Sequence, residues 1–192
     1  MPLPEKDKIY TYVDYLTWPE EERIELIDGQ VYLLAPPSRI HQEISGAIFN
    51  QFYNYLKDKP FKVYHAPFGV RLPSSNEKND EDIKTVVEPD IVVVCDEAKL
   101  DAEGCKGAPD LIVEIVSPST ARKDKVEKFN LYEKFGVKEY WIVEPDSKII
   151  SVFTLQANKR YGRPEIYTDD DDVIKVSIFD DLIVDLKLVF AY

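Results

Sequence analysis

The chain has 192 residues, of which 44% are hydrophobic and 31% charged, and it carries a formal net charge of −12. That length suits one domain with a substantial core rather than two, and no apolar run approaches the roughly 18 residues of a membrane span. A chain this acidic has no overall basic surface for nucleic acid, so any contact with phosphate must be local or carried by a metal ion. The opening MPLPEKDKIY lacks the pattern of a signal peptide. Cys95 and Cys105 have neither CxxC spacing nor nearby histidines, so they read as reduced thiols rather than a zinc site or a disulfide framework. Both features predict a cytoplasmic location.

Tyr10 to Leu16 reads as a short helix ended at Trp18-Pro19. Arg23–Ile27 and Val31–Leu34 flank Asp28-Gly29, a β-hairpin signal. His41 to Leu56 is helical in period, with Ile44, Ile48, Phe52 and Tyr55 on the buried side and Glu43 opposite. His41 falls on the buried side at the helix entrance, where a hydrogen-bonded role is expected before a ligand role. Phe61 to Leu72 predicts a strand, and Pro73 to Lys84 a polar loop long enough to serve as a flap. Thr85 to Cys95 predicts a second strand, interrupted at Pro89, in which Glu88 and Asp90 share a face with Val92 and Val94. Asp96 to Gly107 predicts a second polar connection.

The stretch Ala108–Tyr140 predicts a strand, a turn, a helix and the entry to another strand. Leu111 to Val116 is apolar and β-branched apart from Glu114, which shares a face with Asp110, Ile112 and Val116. A carboxylate on a buried strand is costly unless a cation, a metal or hydrogen bonds compensate it. The hydroxyls of Ser117, Ser119 and Thr120 are candidate caps for the following helix, and Asp124 suits its first turn. Spacing residues 100° apart puts Lys123, Glu127, Asn130, Glu133 and Lys134 on a polar arc. Phe129, Leu131, Tyr132 and Phe135 then face inward, and so do Lys125 and Lys128. One alternative is that these lysines snorkel to water along their stems. Glu139 to Val143 and Ile149 to Leu155 predict paired strands across Pro145-Asp146-Ser147. Asp169 to Asp172 predicts a solvated turn, and Val173–Ile178 and Leu182–Val189 predict closing strands.

From the long helix onward the order is αβββαβ, with Asp90 on the second strand and Glu114 on the third. Two such carboxylates can hold a hard cation such as Mg²⁺, and a nearby lysine could orient or deprotonate a water attacking a phosphodiester. This order and these acids resemble the PD-(D/E)XK nuclease superfamily. The segments IELIDGQVYLLAPPSRIHQEI, EPDIVVV and PDLIVEIVSPSTARKDKVEKFNLYEKFGVKEYWIVEP resemble the Uma family of endonucleases. So does the terminal IFDDLIVDLKLVF, where Asp181 stands in place of the usual glycine.

The resemblance implies an α/β (α+β) restriction-endonuclease-like core, a mixed central sheet flanked by helices, with an N-terminal β-hairpin and C-terminal strands. It implies one domain over residues 1–192, with the helix and hairpin in 1–38, the core in 39–144 and the closing strands in 145–192. It also implies a Mg²⁺- or Mn²⁺-dependent endonuclease acting on DNA, with Asp90 and Glu114 as metal ligands. The superfamily lysine two residues past the second acid is absent, since Val116 stands there. Lys128 from the next helix matches the substitute position, Lys125 is its reserve, and His41 is a further candidate. The alternatives are a catalytically silent nucleic-acid- or protein-binding module, or a phosphodiesterase for smaller or single-stranded substrates. Cutting both strands of a duplex would call for a homodimer.

Overall fold

The computed structural model describes residues 8–19, 22–77, 79–118 and 120–192; the opening MPLPEKD and Ser119, read above for targeting and capping, lie outside them. A four-residue helix, α1 (Tyr12–Tyr15), precedes the hairpin of β1 (Ile24–Ile27) and β2 (Gln30–Leu33). Asp28 and Gly29 have φ of 48° and 80°, the backbone that a two-residue primed turn requires. The long helix α2 (Arg39–Leu56) starts where Ser38 Oγ accepts from His41 N at 3.2 Å. It buries Ile44, Ile48, Phe52 and Leu56. Leu56 takes the place expected of Tyr55, which lies half-buried against Phe179 and donates to Asp181.

The two strands expected next are each split between two sheets. Phe61–Leu72 becomes β3 (Lys62–His65) and β4 (Val70–Arg71), and Thr85–Cys95 becomes β5 (Val86–Val87) and β6 (Ile91–Val94). The breaks contain Pro67 and Pro89, which have no N–H with which to continue a ladder. The expected polar connection at 96–107 holds a small hairpin of β7 (Leu100–Asp101) and β8 (Gly104–Lys106). Gly104 has φ +128°, and a Cβ there would lie 2.2 Å from the Gly69 carbonyl oxygen, so no side chain fits.

Next comes β9 (Leu111–Ile115), then a π-helical turn (Lys123–Lys128) that runs directly into α3 (Phe129–Phe135). Gly136, at φ 84°, ends that helix by donating to the Tyr132 carbonyl at 3.0 Å. The remaining elements are β10 (Glu139–Glu144), β11 (Ile149–Thr154), β12 (Glu165–Thr168), β13 (Val173–Lys175), β14 (Ile183–Asp185) and α4 (Leu186–Val189). The strand expected over 182–189 is therefore half helix. Asp185 Oδ1 caps α4 by accepting from Lys187 N at 2.8 Å.

One six-stranded sheet runs β2-β1-β5-β4-β8-β7, and the other runs β12-β11-β10-β9-β6-β3. The expected αβββαβ order lies in α2 and the second sheet as α2-β3-β6-β9-α3-β10. There β9 and β10 are parallel, joined through the π turn and α3, while the other neighbours are antiparallel. Leu111, Val113 and Ile115 pack in the cluster with Ile44, Ile48 and Phe52 of α2. Ile112 faces the other way, into the cluster holding Leu131, Tyr132 and Tyr140. Glu114 shares that second face. Among the described residues no helix is long and apolar enough to cross a membrane.

Candidate active site

The break at Pro89 creates the site. Glu88, Pro89 and Asp90 form the step from β5 in one sheet to β6 in the other, so Asp90 sits at the seam between them. Its Oδ2 accepts from Ile115 N at 2.7 Å and lies 3.1 Å from His41 Nε2. The first bond ties Asp90 to the backbone beside Glu114. Glu114 Oε1 in turn accepts from Lys128 Nζ at 2.8 Å and from Tyr132 OH at 2.7 Å. Asp90, Glu114, Lys128 and His41 all line one cleft of about 280 Å³. Sequence reasoning named these four, and the fold brings them together.

Lys125 is not among them. It projects outward and pairs with Glu144 at 2.7 Å, with 40% of its side chain exposed. The helical wheel misplaced it because residues 123–128 bond i→i+5 rather than i→i+4, which changes the angular step. For the same reason Lys123, expected on the polar arc, turns into the cleft, and Asp124 is buried. Glu133, also expected outside, is buried beneath Arg160 and accepts from Tyr161 N. Snorkelling is excluded for Lys128, whose side chain is 3% exposed.

Glu25 on β1 was missed entirely. It is 0% exposed, and its Oε1 lies 2.6 Å from Lys128 Nζ and accepts from Glu88 N at 3.1 Å. Its Oε2 accepts from Lys123 Nζ at 2.9 Å. The signal was available in Ile24-Glu25-Leu26-Ile27, an acid inside an apolar strand like the one around Glu114. Glu88 also belongs to the site, held by Arg23 Nε at 3.1 Å and Tyr15 OH at 3.3 Å.

The cleft is lined by six carboxylates and three permanent cations, and burial is the largest influence on the charged groups at its centre. Burial pushes Glu114 up to about 8, against the pull of Lys128 and with repulsion from Asp124 and Asp90 adding to it. Burial raises Asp124 as well, with Lys128 opposing. Burial would lower Lys128, but Glu114, Glu25 and Asp124 outweigh it and hold the ammonium above the ordinary lysine value. Glu25 is the reverse case. Burial would raise it, and Lys128 and Lys123 hold it below the usual glutamate value.

The donor set fits a hard cation bound through few protein atoms. Among the described residues the hydrogen bonds to Asp90 fall on Oδ2 and those to Glu114 on Oε1, which leaves the other oxygen of each carboxylate for a ligand. Among the described residues no group of three or more His, Cys, Asp or Glu side chains is arranged to hold a metal. Two carboxylates suit Mg²⁺, which keeps several waters and takes further oxygens from a phosphate. They do not make a zinc site or an all-protein calcium cage.

A mixed sheet with α2 and α3 packed on its two faces, with acids at the entry of β6 and on the adjacent β9, defines a restriction-endonuclease-like α/β fold. The crystal structure of a "putative nuclease belonging to DUF820" from Anabaena variabilis has a similar fold. Its TM-score is 0.74 at 20% identity, covering 95% of this chain and 98% of that one. The sequence matches the Uma2 family, described as "Putative restriction endonuclease", over residues 12–187, and the chain belongs to that family. Two uncharacterized proteins of Synechocystis sp. are also similar. One is 27% identical over 143 residues, 73% of this chain and 71% of that protein. The other is 24% identical over 142 residues, 71% and 76% respectively.

Proposed function

We propose that the chain is a Mg²⁺-dependent endonuclease that hydrolyses DNA phosphodiester bonds, in the cytoplasm. The observation that carries this reading is the pair of carboxylates, Asp90 at the entry of β6 and Glu114 on β9, locked side by side with the Lys128 ammonium on Glu114. Asp90 and Glu114 would hold the metal through their free oxygens, and Mn²⁺ would serve equally. Bound there, the ion would polarise the scissile phosphate and acidify a coordinated water.

Lys128 keeps its proton, so its part is to orient the attacking water and stabilise developing negative charge rather than to act as a base. Tyr132 fixes Glu114, and His41 fixes Asp90. Cutting both strands of a duplex calls for two such sites, hence a homodimer. One observation favours a second reading, a silent binding module: both cleft lysines are already paired with Glu25.

Cleavage of supercoiled plasmid and of single-stranded DNA, with Mg²⁺ and with chelator, separates the two readings. Metal-dependent nicking that Asp90→Asn and Glu114→Gln abolish supports the nuclease. Wild type that binds DNA and leaves it intact, with Mg²⁺ and Mn²⁺ alike, defeats it.

A further inference from the structure

We propose that Glu25 is the positioning residue of this site, clamping Lys128 and Lys123 into a fixed pair, and that Lys123 is the cation that meets the phosphate of the strand being cut. The second half rests on the nuclease reading; the clamp itself does not. Glu25 lies on the other sheet from Glu114 and is fully buried, and each of its carboxylate oxygens takes one lysine. A third bond, from Glu88 N, fixes the carboxylate against its own strand. Two ammonium groups on the two oxygens of one carboxylate must stand close together, so a phosphate beside the water oriented by Lys128 is within reach of Lys123.

The π turn is what makes this possible. Residues five apart on an α-helix point about 140° away from each other, so Lys123 and Lys128 could not both face Glu25. With i→i+5 bonding over Lys123–Lys128 they do. Such turns are uncommon and recur at functional sites. The two lysines are not equivalent. Lys128 is sealed at 3% exposure, whereas Lys123 keeps 13% and borders the cleft, with the Tyr32 ring 5.3 Å from its Nζ. The remaining cation of the cleft, Arg23, is held by Glu88 and not by the carboxylate that holds Lys128.

The test uses full-length protein and two independent readouts. The first is the rate of amine acylation at Lys123, followed by mass spectrometry, with the exposed Lys134 as internal reference. Lys123 should react much more slowly than Lys134 in wild type, and Glu25→Gln should bring the two rates together. Equal rates in wild type, or no change in Glu25→Gln, overturn the clamp whatever the protein does to DNA.

The second readout is cleavage kinetics per folded molecule. Glu25→Gln should slow the single-turnover rate roughly 10²-fold, the scale of a misplaced catalytic group, with Glu25→Asp recovering part of it. Lys123→Ala should raise KM about tenfold or more, the loss of one charged hydrogen bond, and act far less on kcat. A purely structural Glu25 would change only the folded fraction, and that result refutes its positioning role. Unchanged KM in Lys123→Ala refutes the phosphate contact. If wild type cleaves no DNA, the nuclease reading and the phosphate contact fall together, while the acylation result still judges the clamp.

Discussion

Lys128→Met replaces a buried cation with an apolar chain of similar length. In wild type the ammonium lies 2.6 Å from Glu25, 2.8 Å from Glu114 and 3.9 Å from Asp124. Removing one member of a buried, hydrogen-bonded ion cluster costs about 3–5 kcal/mol, here because Glu25, which Lys128 helps hold ionised, loses its nearest counter-charge. For a chain of this size each kcal/mol shifts the melting temperature by about 2–4 °C. The variant should therefore melt roughly 6–20 °C below wild type in metal-free buffer near neutral pH. The loss should shrink in mildly acidic buffer, where the orphaned carboxyls can take up protons. Adding Glu25→Gln to Lys128→Met should recover part of it, a direct measure of their coupling. Thermal denaturation of the three proteins across pH provides the assay. A Lys128→Met melting point within about 2 °C of wild type would refute the claim that this ammonium offsets buried charge.

Mg²⁺ should raise the melting temperature of wild type, by about 2.7 kcal/mol of stability at ~100 Kd, and Asp90→Asn or Glu114→Gln should each remove the shift; a shift that persists in both places the metal elsewhere. Because burial raises Glu114 to about 8, its contribution to apo stability is fully present below its unfolded value and is lost as pH rises through 8. The proton competes with metal below about 8, so the Mg²⁺-induced shift should grow as pH rises toward 8 and level off above it, and a pH-independent shift would contradict this. Glu139 is buried and accepts from Trp141 Nε1 at 2.6 Å, Ser177 N at 2.8 Å and Ile178 N at 3.2 Å. Glu139→Ala strands those donors at about 1–3 kcal/mol each and should destabilise strongly in denaturant titrations, with the rate per folded molecule unchanged. DNA affinity should be weak and fall steeply with salt, and Ca²⁺ should improve it by neutralising the cleft; tight metal-free binding at physiological salt would show that the acidic field does not govern association.

Glu114 and Asp90 were legible in the sequence because an acid in an apolar strand is a visible anomaly and alternation fixes its face. Lys128 was legible from the wheel, since its phase agreed with Tyr132, which does turn inward. Lys123 and Lys125 exchanged places because the wheel assumes a uniform 100° step, and nothing in KDKVEK reveals that this turn is π-helical. Glu25 needed only the test already applied to Glu114. Its partners, however, lie about a hundred positions later in the chain, and a hairpin with one solvated face gave its carboxylate an unforced place outside. The split of 61–72 and 85–95 was half legible: Pro89 marked a break, but composition does not show that the halves join different sheets. The hairpin that precedes residue 39 thus supplies Glu25 to the cleft.

The seam at Pro89 also bears on when the molecule can act during its own synthesis. The Glu25–Lys123 contact spans 98 positions of sequence, and its two ends belong to elements that must each be built before they can meet. A growing chain that has released Asp90 and Glu114 but not the π turn has acids without their lysines. One that has formed the second sheet but not docked the first has Lys128 facing Glu114 and Asp124 alone. Contacts of such long range form late because their loop-closure cost comes first. The full cluster, Glu25 with both lysines, is thus complete only once the two sheets have docked.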